Sequence, residues 1–344
     1  MTSFAVIIFV TGLVLSFALT LLMLNYARKR NLVDIPNARS LHQTPVPRGG
    51  GGAILIATSL CSVFILLQFE LTDAVFLAWI ACGVALGLLG WLDDHRNLSS
   101  APRFACQLAV AAVFTVVLSS APGTTMPSYF TGYYLAYLLA ATIGIVWMVN
   151  LYNFMDGADG YAASEALLVA GCGAVIVGSR CADLPSLLAW SVAGSAAGFL
   201  IWNWQPAKIF MGDVGSYFIG FQFAALVAYD TFRGPGPWVW LILLAPFTVD
   251  SSLTLISRIL QRERWWQAHR SHVYQLVVLG GWSHARLVVS LWIVTLLVLA
   301  PAAALTVIEP EWAFVVTALV YALAAIIWTV IRNKLSRYRH STTC

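Results

Sequence analysis

The sequence contains few charged residues for its length. Asp, Glu, Lys and Arg make up 10% of its 344 residues, whereas hydrophobic residues make up 60% and the mean hydropathy is +0.81. Soluble domains carry about 25% charged residues, so this composition excludes a soluble fold and predicts an all-α, polytopic integral membrane protein. The basic residues are not clustered, so the formal net charge of +4 does not indicate nucleic-acid binding.

The sequence also lacks cysteine pairs, and its first apolar run lacks the pattern typical of a secretion leader. None of the six cysteines forms a CxxC pair, so we expect reduced packing residues rather than metal ligands or disulfides. No basic segment precedes the first apolar run, Phe4 to Leu24, and no small-residue cleavage pattern ends it. Arg28, Lys29 and Arg30 follow this run. We therefore expect an uncleaved first span with the N-terminus outside the cytoplasm.

Apolar runs that match the thickness of a bilayer recur along the chain. A helix needs about 20 apolar residues to cross the hydrocarbon core. The eleven predicted transmembrane helices lie at 3–24, 53–69, 75–92, 103–121, 132–149, 163–179, 186–203, 216–231, 237–258, 285–308 and 312–331. This odd number of spans places the C-terminus in the cytoplasm. We expect one transmembrane domain over residues 1–344.

The basic residues support this topology. All Lys and Arg residues except Arg180 and Arg233 fall on the predicted cytoplasmic side or at the adjoining helix ends, as the positive-inside rule requires. The same alternation places five polar segments on the cytoplasmic face, at 25–52, 93–102, 150–162, 204–215 and 259–284. The opposite loops are short and show no suggestive spacing. We therefore expect the chemistry on the cytoplasmic face.

The segment NLYNFMDGADG concentrates polar groups between two apolar runs. Its Asn150, Asn153, Asp156 and Asp159 are spaced three residues apart. A carboxylate at the bilayer centre costs about 2.5 to 3.5 kcal/mol on insertion scales. This segment is therefore predicted at the water-facing end of a helix.

A second acidic segment, Asp93 and Asp94, ends the third predicted span. Adjacent side chains on a helix diverge by about 100°, so only one can point squarely into a given pocket. A Mg²⁺ site needs one or two carboxylates plus substrate phosphates, which this pair could supply, although a solvated acidic pair would look the same. Arg103 opens the next helix, either as a phosphate contact or as a topology anchor.

Two glycine-rich segments are candidates for anion and metal binding. Asp213 lies between glycines in GDVGS, where the backbone can closely approach a phosphate or a metal-bound water. Phe210 is an interfacial anchor unless the site binds a nucleotide, on which it could stack. Arg48 lies in PVPRGGGG. Flexible backbone amides beside a guanidinium favour anion binding, but a glycine run is also typical of a simple linker.

The segment HRSHVYQ places His269, Arg270 and His272 close together. No cysteine or carboxylate partner has a zinc-like spacing, so phosphate and sugar recognition fits better than metal ligation. The alternative is a basic interfacial loop anchored by Trp265 and Trp266. Asp250, inside the ninth predicted span, needs a partner and is a candidate supporting residue.

In this order the segments resemble the polyprenyl-phosphate N-acetylhexosamine-1-phosphate transferases, which start O-antigen and related glycans. These enzymes are relatives of the phospho-MurNAc-pentapeptide translocase. The matching strings are PNARSLHQTPVPRGGG, WLDDHRNLS, NLYNFMDGADGYA, WNWQPAKIFMGDVGS and HRSHVYQ. Each string alone is moderately specific, and five in this order are highly specific.

The resemblance implies transfer of an N-acetylhexosamine or deoxy-N-acetylhexosamine 1-phosphate from a UDP-sugar to undecaprenyl phosphate, with release of UMP. It implies Mg²⁺ as cofactor, with Mn²⁺ as an alternative, and a site facing the cytoplasm in the bacterial inner membrane. The implied partners are a UDP-N-acetylhexosamine, undecaprenyl phosphate and the lipid bilayer, and a homodimer stays open. The donor sugar is not fixed by any motif.

The resemblance also implies roles for single residues. Asp93 would contact the lipid phosphate and join Asp213 at the metal, with Asp94 in support. Phe210 would stack on uracil. The other substrate-binding residues would be Asn150, Asn153, Asp156, Asp159, Arg48, Arg103, His269, Arg270 and His272. Some relatives carry three histidines in the last segment, whereas this sequence carries two, with Arg270 between them.

A different class, a transporter or flippase of lipid-linked sugars, is the alternative interpretation. Such proteins place ionisable groups near the membrane midplane on broken helices, whereas here nearly all of them lie at helix ends or in loops. Release of UMP from a UDP-sugar distinguishes the two classes.

Overall fold

Helices form almost all of the secondary structure in the described part of the chain. The computed structural model describes residues 2–36, 40–70, 73–124, 134–178, 184–263 and 269–341. Arg39, Arg180, Arg264, Trp265 and Trp266 therefore lie outside the described residues. The first half of the chain forms α1 (Thr2–Arg30), α2 (Gly51–Gln68), α3 (Ala74–Arg96), α4 (Ser100–Ser120), α5 (Tyr134–Met155), α6 (Tyr161–Gly178) and α7 (Leu184–Asn203).

The second half of the chain contains shorter and broken helices. They are α8 (Gly212–Phe232), α9 (Trp238–Leu243), α10 (Ala245–Leu260), α11 (Val273–Leu279), α12 (His284–Val294), α13 (Ala300–Ile308) and α14 (Ala313–Ser341). A π-helical turn, Thr295–Leu299, joins α12 to α13, and a 3₁₀ turn, Pro310–Trp312, precedes α14.

The predicted all-α membrane bundle is confirmed. Within the described residues, nine helical segments are long and apolar enough to cross a bilayer. The predicted span 216–231 lies within α8, which is almost entirely buried among other helices. The predicted span 237–258 is broken at Leu244, because Pro246 lies in the first turn of α10 and cannot continue a helix from α9. The total of eleven crossings and the orientation stay predictions.

The core of the bundle surrounds α8. Its Phe218, Phe221 and Phe223 are fully buried, and the helix packs between α3 and α5. Gln222 is the polar exception, and its Oε1 accepts a 2.8 Å hydrogen bond from Trp79 Nε1 of α3. A buried amide with a partner avoids the cost of an unpaired polar group. The middle of α8 is therefore fixed in the core, and its first turn, from Gly212, lies at one end of the bundle.

A short β-hairpin organises the segment between α1 and α2. β1 (Val33–Asp34) pairs antiparallel with β2 (Val46–Pro47). The carbonyl of Pro47 accepts a 2.8 Å bond from Phe210 N, and Gly50 N donates a 2.9 Å bond to Phe210 O. The predicted segments 25–52 and 204–215 therefore share backbone hydrogen bonds, although a hundred and fifty or so residues separate them in the chain.

Candidate active site

All five predicted polar segments contribute to one cavity of about 440 Å³ at this end of the bundle. It lies where α3 ends, α8 begins and the loop after α5 turns. The lining residues are Asp34, Ser40, Leu41, His42, Arg48, Asp93, Asp94, Asn97, Leu98, Arg103, Asn153, Asp156, Gly157, Ala158, Asn203, Phe210, Gly212, Asp213 and Gln275. The sequence argument that these segments meet on one face is therefore supported by their geometry.

Asp94 caps the N-terminus of a helix to which it does not belong. Its two carboxylate oxygens accept hydrogen bonds of 3.2 Å from the backbone N–H groups of Asp213 and Val214, in the first turn of α8. The N-cap residue of α8, Met211, supplies no side-chain bond of its own. Gly212, at a φ of +74°, leaves room for this carboxylate. The backbone oxygen of Asp94 also accepts a bond from Arg48 Nη2.

Asp93 points away from Asp94 and makes different contacts. Its Oδ2 pairs with Arg103 Nη1 at 2.6 Å and accepts a 3.1 Å bond from the Tyr217 hydroxyl, while Oδ1 accepts a 2.9 Å bond from Leu98 N. The divergence expected of adjacent helical side chains is therefore present. Arg103 is part of the cavity and more than a topology anchor.

Asp213 completes a cluster of carboxylates at the start of α8. Its Oδ1 accepts a 2.7 Å bond from Asn153 Nδ2, which also donates to Ser216 Oγ at 2.9 Å. Asp93, Asp94 and Asp213 line the same cavity. Ionised carboxylates that share one cavity repel each other unless a proton or a cation lies between them.

This cluster fits a magnesium ion that is completed by substrate. Within the described residues, no group of three or more His, Cys, Asp and Glu side chains could hold an ion alone. Mg²⁺ is usually bound by one or two carboxylates together with phosphate oxygens and water. The cavity is lined by five acidic residues and only two arginines, so an anionic substrate would need an additional cation there.

Asp156, like Asp34, is a cavity carboxylate whose side chain has no hydrogen-bond donor among the described residues. Burial, followed by the negative charges of Asp94 and Asp159, raises the pKa of Asp156 to about 7. Its oxygens are therefore available to a ligand that offers hydroxyl groups. Asn153, three residues earlier, turns toward Asp213 instead.

Asp159 and Asn150 lie outside the cavity lining. Asp159 Oδ2 accepts a 3.1 Å bond from Ala207 N, and its Oδ1 lies 3.3 Å from His284 Nδ1. Asn150 Nδ2 donates to Gln107 Oε1 at 2.6 Å and to Val146 O at 2.8 Å. These contacts connect loops and helices, which is a positioning role. Their predicted contact with substrate stays untested.

The segment HRSHVYQ reaches the cavity through Gln275, whereas its basic residues lie elsewhere. His272 is buried, and its ring lies 4.9 Å from that of His269, while Arg270 is exposed. Burial lowers the pKa of His272 against the opposing charge of Asp250, whereas burial and nearby cationic groups together lower the pKa of His269 to about 4. Both imidazoles are therefore neutral near pH 7, which weakens the case for them as cationic phosphate contacts.

Asp250 has the partners that its position in an apolar run requires. Its carboxylate accepts bonds from Val273 N at 2.8 Å and Tyr274 N at 3.1 Å, the first two N–H groups of α11. Thr254 Oγ1 and Trp328 Nε1 also donate to it, at 3.1 and 3.0 Å. It thus holds α11, which carries Gln275.

Sequence reasoning missed several polar residues that the fold makes important. His42 and Gln275 line the cavity, and Tyr217 supports Asp93. Glu165 is fully buried in α6, and both of its carboxylate oxygens lack a hydrogen-bond partner in the described part of the chain. The available signal for Glu165 was a single carboxylate within an apolar run.

The fold and the site define a class: a polytopic membrane protein with an acidic cavity at one end of its helix bundle. Residues 76–230 match the family model for glycosyl transferase family 4. The chain belongs to this family and is a transferase, as the motifs indicated.

Individual relatives align over most of the chain. It is 30% identical over 275 residues to the phospho-N-acetylmuramoyl-pentapeptide-transferase of Anoxybacillus flavithermus, over 73% of this chain and 81% of that protein. It is 28% identical over 295 residues to the probable undecaprenyl-phosphate N-acetylglucosaminyl 1-phosphate transferase of Bacillus subtilis, over 84% and 81%. It is also 28% identical over 324 residues to the decaprenyl-phosphate N-acetylglucosaminephosphotransferase of Mycobacterium leprae, over 82% and 79%.

Proposed function

We propose that the protein transfers N-acetylhexosamine 1-phosphate, or a deoxy form of it, from a UDP-sugar to undecaprenyl phosphate. The products are UMP and a lipid-diphosphate sugar that initiates O-antigen or another cell-envelope glycan. The observation that carries this proposal is the group of acidic residues, Asp93, Asp94 and Asp213, in a cavity that Phe210 also lines. Relatives whose names state polyprenyl-phosphate sugar 1-phosphate transfer support it. We place the protein in the bacterial inner membrane with this cavity facing the cytoplasm.

The proposed reaction exchanges one phosphoanhydride for another. An oxygen of the lipid phosphate attacks the phosphorus that carries the sugar, and the bond from that phosphorus to the oxygen of UMP breaks. The electron pair leaves with UMP, so no external oxidant or water is consumed. The reaction is nearly isoenergetic, and the later steps of glycan synthesis must pull it forward.

The main obstacle to the reaction is repulsion between the negative charges of the two substrates, and not removal of a proton from the lipid phosphate. The second pKa of a phosphomonoester is about 6, so the lipid phosphate is mostly dianionic at neutral pH and needs little help from a base. Arg103 and Arg48 line the cavity and can pair with the phosphates. Asp93 and Asp94 hold these two guanidiniums through the carboxylate of Asp93 and the backbone oxygen of Asp94.

A divalent cation would be held by Asp213 and Asp93. When bound, Mg²⁺ would neutralise phosphate charge and the repulsion between the two carboxylates, with Mn²⁺ as an alternative ion. Asn153 fixes the rotamer of Asp213 through its 2.7 Å bond. Electrostatic stabilisation of this kind is usually the largest contribution to the rate.

The nucleotide would occupy the part of the cavity formed by Phe210 and Asp156. An aromatic ring offers a stacking surface for a base, and an unpaired carboxylate accepts hydrogen bonds from ribose hydroxyls. An assay with a panel of UDP-N-acetylhexosamines and their deoxy relatives identifies the donor sugar directly.

The deciding experiment measures UMP release by the purified protein in lipid nanodiscs. We expect release only when a UDP-N-acetylhexosamine, undecaprenyl phosphate and Mg²⁺ are all present, and almost none from Asp213→Asn. Labelled UMP should also exchange into the UDP-sugar in a lipid-dependent manner. If no UDP-N-acetylhexosamine yields UMP, the transferase proposal fails, and transport of a lipid-linked sugar becomes the interpretation to test.

A further inference from the structure

The cavity wall includes an aromatic pair, His42 and Phe210. The two ring centroids lie 4.9 Å apart, with an angle of 64° between the ring planes. Both residues line the same cavity as the carboxylates. Contacts of this edge-to-face kind hold aromatic side chains in a defined orientation. The pair therefore offers a fixed aromatic surface to a ligand.

The backbone around this pair is held in place from both sides. Phe210 N donates to Pro47 O, and Phe210 O accepts from Gly50 N, so the ring projects from a bridged strand-like segment. His42 lies in the loop between β1 and β2, which ends at that same bridge. His42 and Phe210 consequently belong to one supported unit, although they come from different polar segments of the sequence.

The imidazole of His42 has a polar atom that the protein does not satisfy. Nε2 is buried and has no hydrogen-bond partner within the described residues. Buried polar atoms in proteins nearly always have a partner, so each exception calls for an explanation. For a residue that lines a cavity the explanation is evident, because a bound ligand can supply the missing hydrogen-bond partner.

We propose that His42 is a base-recognition residue, whose Nε2 hydrogen-bonds the edge of the nucleobase that stacks on Phe210. This inference rests on the proposed function, because it requires a uridine nucleotide in the cavity. The uracil edge presents two carbonyl oxygens and one N–H, and an imidazole nitrogen can donate or accept. The cavity contains Arg48 and Arg103 for phosphates, whereas His42 adjoins the ring on which a base would lie.

The test compares two ligands that differ only in the base. 5′-UMP and ribose 5-phosphate share the sugar and the phosphate, and their binding to the full-length protein in nanodiscs can be measured by calorimetry. His42→Phe keeps an aromatic ring against Phe210 but removes the nitrogen. We expect this variant to bind UMP about tenfold more weakly, the loss of one hydrogen bond to a buried group, with unchanged binding of ribose 5-phosphate.

Two further variants distinguish loss of base recognition by His42 from general disruption of its loop. His42→Gln retains a polar amide in place of the nitrogen and should recover part of the UMP affinity. Gln43→Ala, at the exposed neighbouring position, should bind both ligands as the unmodified protein does. Equal affinity of His42→Phe and the unmodified protein for UMP, or equal losses for UMP and ribose 5-phosphate, overturns the inference. Absence of UMP binding by the unmodified protein contradicts the proposed function itself.

Discussion

Asp94 and Asp250 use the same structural device in two different settings. Each carboxylate belongs to one helix and accepts the first N–H groups of another, α8 for Asp94 and α11 for Asp250. Such an arrangement satisfies N–H groups that have no partner within the helix and places negative charge at the positive end of its dipole. The two residues are therefore equivalent as helix caps.

Their surroundings differ. Asp94 lies among the carboxylates of the cavity, beside Asp213 and Asp156, where its charge raises the energy of ionising its neighbours. Asp250 is surrounded by donors, including Thr254 and Trp328. A carboxylate that caps a helix is therefore evidence of a structural role only, and not of a functional site. The accumulation of other carboxylates that compete for protons or cations is what distinguishes the candidate site.

Of the variants that test this comparison, Asp94→Asn should have the largest effect on activity. Asp213 N and Val214 N donate to different oxygens of Asp94, so an amide would place its own NH2 group against one of these donors, and the start of α8 would shift within the cavity. Removing a key electrostatic group from an active site typically costs about 100- to 1000-fold in kcat, and we expect UMP release to fall by about this factor. Activity within about threefold of the unmodified protein would remove Asp94 from the site.

Asp93→Asn tests whether the neighbouring carboxylate acts as a base. We expect UMP release to fall by a factor that stays constant from about pH 7 to about pH 9, because the residue positions Arg103 and the phosphate while the lipid phosphate is already mostly dianionic. The measurement is the pH profile of kcat/KM for both proteins. A deficit that shrinks steadily as pH rises would support proton abstraction instead.

Asp156 and Asp159 lie in one loop and again contrast a carboxylate in the cavity with a carboxylate that holds the structure together. Asp156 faces the cavity without a donor, so Asp156→Asn should raise the apparent KM for the UDP-sugar about tenfold, as expected for loss of one charged hydrogen bond to substrate. Asp159 pairs with His284 and Ala207, so Asp159→Asn should chiefly lower the melting temperature.

Steady-state titration of each substrate separately checks this division. Equal increases in the apparent KM for UDP-sugar and for undecaprenyl phosphate in Asp156→Asn would contradict a nucleotide-side role.

Asp250→Asn should affect stability more than chemistry. Loss of a helix cap costs about 0.5 to 2 kcal/mol, and the amide keeps some of the four donated bonds. We expect a lower melting temperature and a decrease in kcat of only a few-fold, transmitted through Gln275. Asp250→Glu should restore part of the stability. A loss of activity as large as that of Asp94→Asn, in a protein that melts normally, would show that the two caps are not different in function.

The smallest expected effect concerns His269, which packs against His272 near Asp250. Its pKa is lowered from the ordinary value of 6.5 to about 4, so between these values the unfolded chain binds more protons than the folded one. Stability therefore falls as pH decreases from about 6.5 to about 4. His269→Gln should lose roughly 2 to 4 °C less over this interval in thermal melting. His95→Gln, at an exposed ring beside Trp91, serves as the control and should melt as the unmodified protein does.

The sequence predicted the helices better than the direction of their side chains. Apolar length reveals a membrane span, and the divergence of Asp93 from Asp94 follows from helical geometry, so both were predictable. The break at Leu244 could have been anticipated from Pro246. The meeting of Asp213 with Asp93 and Asp94 was expected only through the family resemblance, because no local pattern links residues so far apart.

The segment HRSHVYQ shows why the positions of other site residues could not be predicted from the sequence. His269, Arg270 and His272 look like phosphate ligands in the sequence. Their placement depends on α11, which is fixed by Asp250 from a different helix. Likewise, no local pattern singles out His42, and the backbone bonds of Phe210 hold its loop at the cavity. Tertiary contacts of this kind leave no periodic signal.

The cap formed by Asp94 also provides an internal reporter. The amide hydrogens of Asp213 and Val214 are bonded to a carboxylate that shares the cavity with the proposed cation and phosphates. Any ligand that draws Asp94 away, or presses it more firmly against α8, changes how often those bonds open. Deuterium uptake at these two amides would therefore register occupancy of the cavity in the absence of any turnover.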